Sequence, residues 1–164
     1  MTAQALVVGY GNALRTDDGL GWHAAASLLA DPRLDGVTVL QRHQLTPELA
    51  LDVSMATLAV LVDATSEAPA GSLTVARVDR SAGSGTTWSH HLDPPTLVAL
   101  AAELYGSAPE VFLVSCGIAS SDAGDVLSAT VQAALTEVVD KVVALVTPVS
   151  GNEAAERRRG PDNA

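Results

Sequence analysis

Short aliphatic runs alternate with amphipathic stretches along most of this chain, and that alternation constrains the fold more than any other feature. Buried strands are expected at 5–8, 37–40, 58–62 and 111–115, each too short for a stable helix and rich in Val and Leu. The stretch 72–78 alternates apolar with polar residues and reads as a strand at a sheet edge. Residues 18–30 carry Leu20, Ala24 and Leu28 on one helical face. A second helix is expected over 47–55, with Thr46 as N-cap and Pro47 at its first position, and a third over 94–105, capped by Asp93 and opened by Pro94. In the last, 125–146, Val126, Ala129, Ala133, Val138 and Val142 recur at helical spacing. The resulting order, β-α-β-α-β-β-α-β-α, predicts a three-layer α/β/α sandwich around a twisted, mostly parallel five-stranded sheet. One domain is expected over 1–146, followed by a polar, flexible tail over 147–164 that lacks periodicity.

Composition narrows the partners. Of the 164 residues, 48% are hydrophobic and only 3% aromatic, so the core must be aliphatic. The formal net charge of −10 argues against nucleic acid, because phosphate binding needs clustered Lys and Arg. The one basic run, Arg157-Arg158-Arg159, lies in the polar tail and reads as a solvated end. Cys116 is the only cysteine, which rules out an intrachain disulfide and a thiolate zinc cage. With no secretory leader pattern and no apolar run of membrane-spanning length, a cytoplasmic protein with no membrane contact is expected.

In open α/β sheets, ligands bind beyond the carboxyl ends of the strands. Three such ends carry polar residues here: 9–18 after the first strand, Asp63 after the third, and 115–124 after the fifth. The first is glycine-rich, Gly9-Tyr10-Gly11-Asn12-Ala13-Leu14-Arg15-Thr16-Asp17-Asp18-Gly19-Leu20-Gly21. It is not a dinucleotide loop. Leu14 stands where the third glycine of that fingerprint belongs, and Asp17 and Asp18 would repel a pyrophosphate. Two carboxylates at a helix entrance attract a cation or a proton instead. One of them has an ordinary use as a helix cap, and Asp17 is the more natural choice, leaving Asp18 free to project elsewhere. Asp63, directly after an apolar strand, is either a turn acid or a member of the same site.

His90 and His91 lie in Trp88-Ser89-His90-His91-Leu92-Asp93, just before a capped helix. A His/Asp/Asp set suits a divalent metal with open positions, and equally suits acid/base work by coupled carboxylates; spacing does not separate the two. His43 reads as part of a polar helix-entry loop that shapes binding rather than as a ligand. Cys116 reads as a small core residue. Ser115, Ser120 and Ser121 form no Gly-x-Ser-x-Gly elbow, which argues against a serine hydrolase.

Taken together, the run from Gly9 to Gly21, Val62-Asp63-Ala64, Ser89-His90-His91-Leu92 and Leu127-Ser128 resemble the hydrogenase maturation proteases over residues 4–146. These endopeptidases trim a C-terminal extension from the large subunit of nickel–iron hydrogenases. The resemblance implies a twisted sheet flanked by helices. It also implies three metal-contacting residues, which fall on Asp18 (Glu in some members), Asp63 and His90, with His91 as the alternative to the last. Residues 41–49 lack the glycine-rich loop of other members; His43-Gln44-Leu45-Thr46-Pro47-Glu48-Leu49 looks more like the branch serving soluble, cytoplasmic hydrogenases.

The resemblance further implies that nickel arrives already bound by the cysteines of the hydrogenase large-subunit precursor. Asp18, Asp63 and His90 then contact it transiently while the peptide is cut, which matures and activates the hydrogenase. Because one of the two acids could serve as general base, the set also reads as an aspartyl protease. Two other readings compete: a metallo-aminopeptidase-like hydrolase with its own metal, and a non-enzymatic nickel-sensing assembly factor.

Overall fold

A computed structural model describes residues 4–80 and 92–158, with side chains to 148. The chain runs β1 (Ala5–Tyr10), α1 (Leu20–Leu29), β2 (Thr38–Arg42), α2 (Leu49–Met55), β3 (Leu58–Ala70), β4 (Leu73–Arg77), α3 (Pro94–Tyr105), β5 (Glu110–Gly117) and α4 (Ala129–Arg158). The five strands lie in the order β2-β1-β3-β5-β4. All neighbours are parallel except β4, which pairs antiparallel with β5 at one edge.

Side-chain alternation along the strands builds the three layers. Ala5 and Val7 of β1 and Leu58, Val60 and Val62 of β3 face α1 and α4, packing with Leu20, Ala24, Leu28, Val131, Val138 and Val142. The intervening residues, Leu6, Val8 and Tyr10 of β1 with Ala59 and Leu61 of β3, face α2 and α3. There they meet Leu49, Val53, Leu97 and Val98. Each fully buried Val or Leu contributes about 1.5–3 kcal/mol, so these two aliphatic layers hold the fold without help from aromatic residues. Close packing on the first face depends on Gly21: a Cβ there would overlap the carbonyl oxygens of Tyr10 and Val62.

Several boundaries differ from the sequence reading, each for a local reason. The first helix begins at Leu20, after a 3-10 turn at Thr16–Gly19, because Asp17 is used for tertiary contacts and Asp18 accepts from Asn12 N–H within its own loop. The second begins at Leu49, since Thr46 and Pro47 supply carbonyls to Leu49 and Ala50 in a turn rather than a side-chain cap. The third is as expected: Asp93 accepts from Thr96 N–H at 2.9 Å, and the helix closes on Gly106 in the left-handed conformation. The last begins four residues later than expected and continues past 146 to Arg158, through Pro148. The third strand runs on past Asp63 to Ala70 because β5 pairs with it as far as Gly117.

Candidate functional site at the carboxyl edge of the sheet

Asp63 lies one residue beyond Val62, whose partner in β1 is Gly9, so Tyr10 and Asp63 follow side by side on the parallel strands. Both belong to the face covered by α2 and α3, by the alternation that buries Val8 and Leu61 there. The Asp63 carboxylate is half-buried and accepts from the N–H of Ala64 at 2.7 Å. Burial pushes its pKa up to about 6 and the nearby Asp18 charge adds to the rise, while the Ala64 N–H and the Tyr10 hydroxyl pull the other way. Tyr10 is 8% exposed, and burial together with the Asp63 carboxylate holds its hydroxyl proton far above the usual range.

Asp18 projects from the 3-10 turn, half-buried, and one of its oxygens accepts from Asn12 N–H at 3.1 Å. Its charge is among those that raise the Asp63 pKa, so the two acids lie within electrostatic reach of each other. His90 and His91 lie outside the described residues. Among the described residues, no group of three His, Cys, Asp or Glu could hold a metal ion.

Asp17 behaves quite differently from its neighbour. It is fully buried and accepts four hydrogen bonds from distant parts of the chain. They come from Ala119 N–H at 2.9 Å, Ser120 N–H at 3.1 Å, Ser128 N–H at 2.7 Å and the Ser128 hydroxyl at 2.8 Å. Burial opposes its ionisation, but these donors win and hold its pKa below the ordinary carboxylate value. Asp17 therefore does not cap α1, as the sequence suggested; it gathers donors just ahead of α4. No spacing rule pairs residues 17 and 128. The available signal was Ser128 before a helical stretch, which marks a helix start without naming its partner.

The remaining candidates separate cleanly. His43 is exposed and stacks on Trp22, ring centroids 4.5 Å apart and planes 20° from parallel. Gln41 fixes the same corner by donating to the Trp22 carbonyl at 3.0 Å. Cys116 is fully buried among α1 and α4 residues, on the opposite face of the sheet from Asp63, and burial pushes its thiol pKa up. It is core, as read. Tyr10 was overlooked; a lone tyrosine in an aliphatic strand was the available hint.

No protein-family model matches the sequence, and no curated protein matches it. Solved structures do. The hydrogenase maturating endopeptidase HybD from E. coli superposes with a TM-score of 0.71 at 22% identity, covering 87% of this chain and 91% of that one. The [NiFe] hydrogenase maturation protease HycI from Thermococcus kodakarensis gives 0.70 at 19% identity, over 88% and 92%. The hydrogenase 2 maturation peptidase of a Thaumarchaeota archaeon gives 0.67 at 26% identity, over 88% and 99%. These neighbours correct the aspartyl-protease reading, because hydrogenase maturation proteases are a distinct protease family and not classical aspartyl proteases. In fold, and across nearly its whole length, this chain is a structural relative of the hydrogenase maturation proteases.

Proposed function

We propose that this chain is an endopeptidase that removes the C-terminal extension of a nickel–iron hydrogenase large-subunit precursor, with the nickel carried by that substrate. The observation that supports this most is the proximity of Asp18 and Asp63 at this end of the sheet, with no cation against either among the described residues. Two half-buried acids oriented by N–H and O–H dipoles suit a site that receives positive charge from the substrate. The likeness to three maturation peptidases supplies the reaction class.

In this reading Asp18, Asp63 and His90 complete the coordination of the substrate's nickel. Carboxylate and imidazole are suitable donors for that ion and leave positions for the precursor's own thiolates. The ion orients the scissile peptide and polarises its carbonyl. Water adds to that carbon, the C–N bond breaks, and the released amine takes a proton. As the alternative to the ion, one of the two acids accepts the proton from water as general base, Asp18 or Asp63. The Ala64 N–H and the Tyr10 hydroxyl keep the Asp63 carboxylate oriented.

Partners follow from the same reading. The net charge of −10 disfavours nucleic acid. Among the described residues, no helix is long and apolar enough to cross a membrane. A cytoplasmic site of action accords with a single, buried, unpaired cysteine.

The test is a mass-resolved cleavage assay on nickel-loaded and nickel-free large-subunit precursors. Release of a defined C-terminal peptide from the loaded form alone, lost in Asp18→Asn, Asp63→Asn and His90→Ala, is the expected result. Retention of stoichiometric zinc or manganese after purification, with turnover of small peptides, would favour the metallo-aminopeptidase reading.

A further inference from the structure

We propose that Asp17 is a positioning residue that sets the orientation of Asp18 by clamping its turn to the segment 119–128. This rests on the reading of Asp18 as a residue of the reacting site. The clamp is far denser than a turn needs for its own stability. Besides the four bonds to the Asp17 carboxylate, Asp17 N–H donates to Ser120 O at 3.1 Å and Thr16 N–H to Gly124 O at 2.9 Å. Gly124 N–H returns to Leu14 O at 3.0 Å. The side chains of Arg15 and Thr16 donate to Ser121 O at 3.2 Å and Asp122 O at 2.7 Å. Every residue from Leu14 to Asp17 is thus tied to the segment that joins β5 to α4.

Two features mark this as an imposed conformation. Thr16 holds φ at +51°, a left-handed backbone that non-glycine residues seldom adopt and that persists where the surroundings enforce it. Asp17 is a fully buried carboxylate whose hydrogen bonds come from N–H and O–H dipoles rather than a cation. Replacing one oxygen with an amide turns an acceptor into a donor facing donors, so charge and shape are both specified. The next residue is Asp18, with one oxygen on Asn12 N–H, leaving the carboxylate one degree of freedom fewer. A reacting group is held by neighbours whose own positions are locked, and here Asp17 is that neighbour.

The test reads Asp18 directly. In the 15N-labelled full-length protein, the Asn12 amide reports its bond to Asp18, and Asp18→Asn defines its position when that bond is altered. Asp17→Asn should move the Asn12 resonance most of the way to that position, and Ser128→Ala part of the way, while amides of β2 and α2 stay in place. Should Asp17→Asn not fold, Ser128→Ala, which deletes one hydroxyl bond, carries the test alone. An unmoved Asn12 resonance in a folded variant whose 119–128 amides have shifted would overturn the proposal. Where the wild type cleaves loaded precursor, kcat should fall roughly 10–100-fold with KM nearly constant. A raised KM at constant kcat would instead assign the segment to docking and overturn positioning. If the wild type cleaves nothing, the protease reading fails while the Asn12 shift still decides the clamp.

Discussion

In the connection between α1 and β2, Asp31 meets the Arg33 guanidinium at 2.7 Å, and the same guanidinium reaches Asp140 of α4 at 3.0 Å. At the opposite end of the sheet, Asp17, Asp18 and Asp63 accept from N–H and O–H groups instead. The two ends hold their acids by different physics. The Arg33 guanidinium, shared between Asp31 and Asp140, offsets one of their two negative charges. Backbone dipoles orient a carboxylate but leave its charge in place. In the proposed reading, the charge that the dipoles leave at this second end is met by the cation that the substrate carries.

The largest effect expected from this contrast is on turnover. Asp18→Asn and Asp63→Asn should each lower cleavage of nickel-loaded precursor by about 100-fold or more, measured by mass spectrometry of the released peptide. Near-wild-type cleavage by both variants would erase the distinction between the two ends.

Packing beneath the site comes next. Gly21→Ala forces a methyl group against the carbonyls of Tyr10 and Val62, and should cost roughly 3 kcal/mol or more in urea denaturation. An unchanged midpoint would mean that α1 can lift from the sheet without loss.

Asp17→Asn should cost roughly 2–3 kcal/mol at neutral pH, because donors buried around the carboxylate lose their acceptor. The sign of the pH dependence follows from its depressed pKa. The stability Asp17 contributes is fully present above the ordinary value of 3.8 and is lost as pH falls through its lower folded value. The wild type should therefore lose more stability than Asp17→Asn on acidification below about pH 4.

Asp63 has the opposite sign. Its pKa is raised from 3.8 to about 6, so its contribution is fully present below 3.8 and is lost as pH rises through 6. Asp63→Asn should consequently be as stable as the wild type at pH 8 or more stable, by up to roughly 1–2 kcal/mol, although inactive. Carboxyl carbon NMR of the free protein should show Asp63 titrating near 6. The smallest effect belongs to the paired end: Arg33→Ala should leave the urea midpoint unchanged within error, since an exposed ion pair contributes little.

Much of this molecule was legible before any coordinates. The aliphatic runs at 58–62 and 111–115 are so short and so apolar that only buried strands accommodate them, and the edge position of 72–78 followed from its alternation. Asp93-Pro94 marked the start of α3 because a side-chain acceptor and a residue without N–H meet the same local need. Local rules failed where an element's limit depends on a distant partner. β3 outlasts Asp63 because β5 pairs with it, and the start of α4 lies beyond a segment tied to the first turn. The adjacent acids are the clearest case. Nothing in Thr16-Asp17-Asp18-Gly19 tells which carboxylate is structural, because the difference is made by Ala119, Ser120 and Ser128, about a hundred residues away.

The sequence by itself determined the layered α/β class and the aliphatic core, because hydrophobic periodicity is a local property. Only the tertiary structure decided the division of labour between Asp17 and Asp18 and the raised pKa of Asp63. Burial, desolvation and the supply of N–H donors are sums over neighbours in space, and a linear chain does not state who those neighbours are.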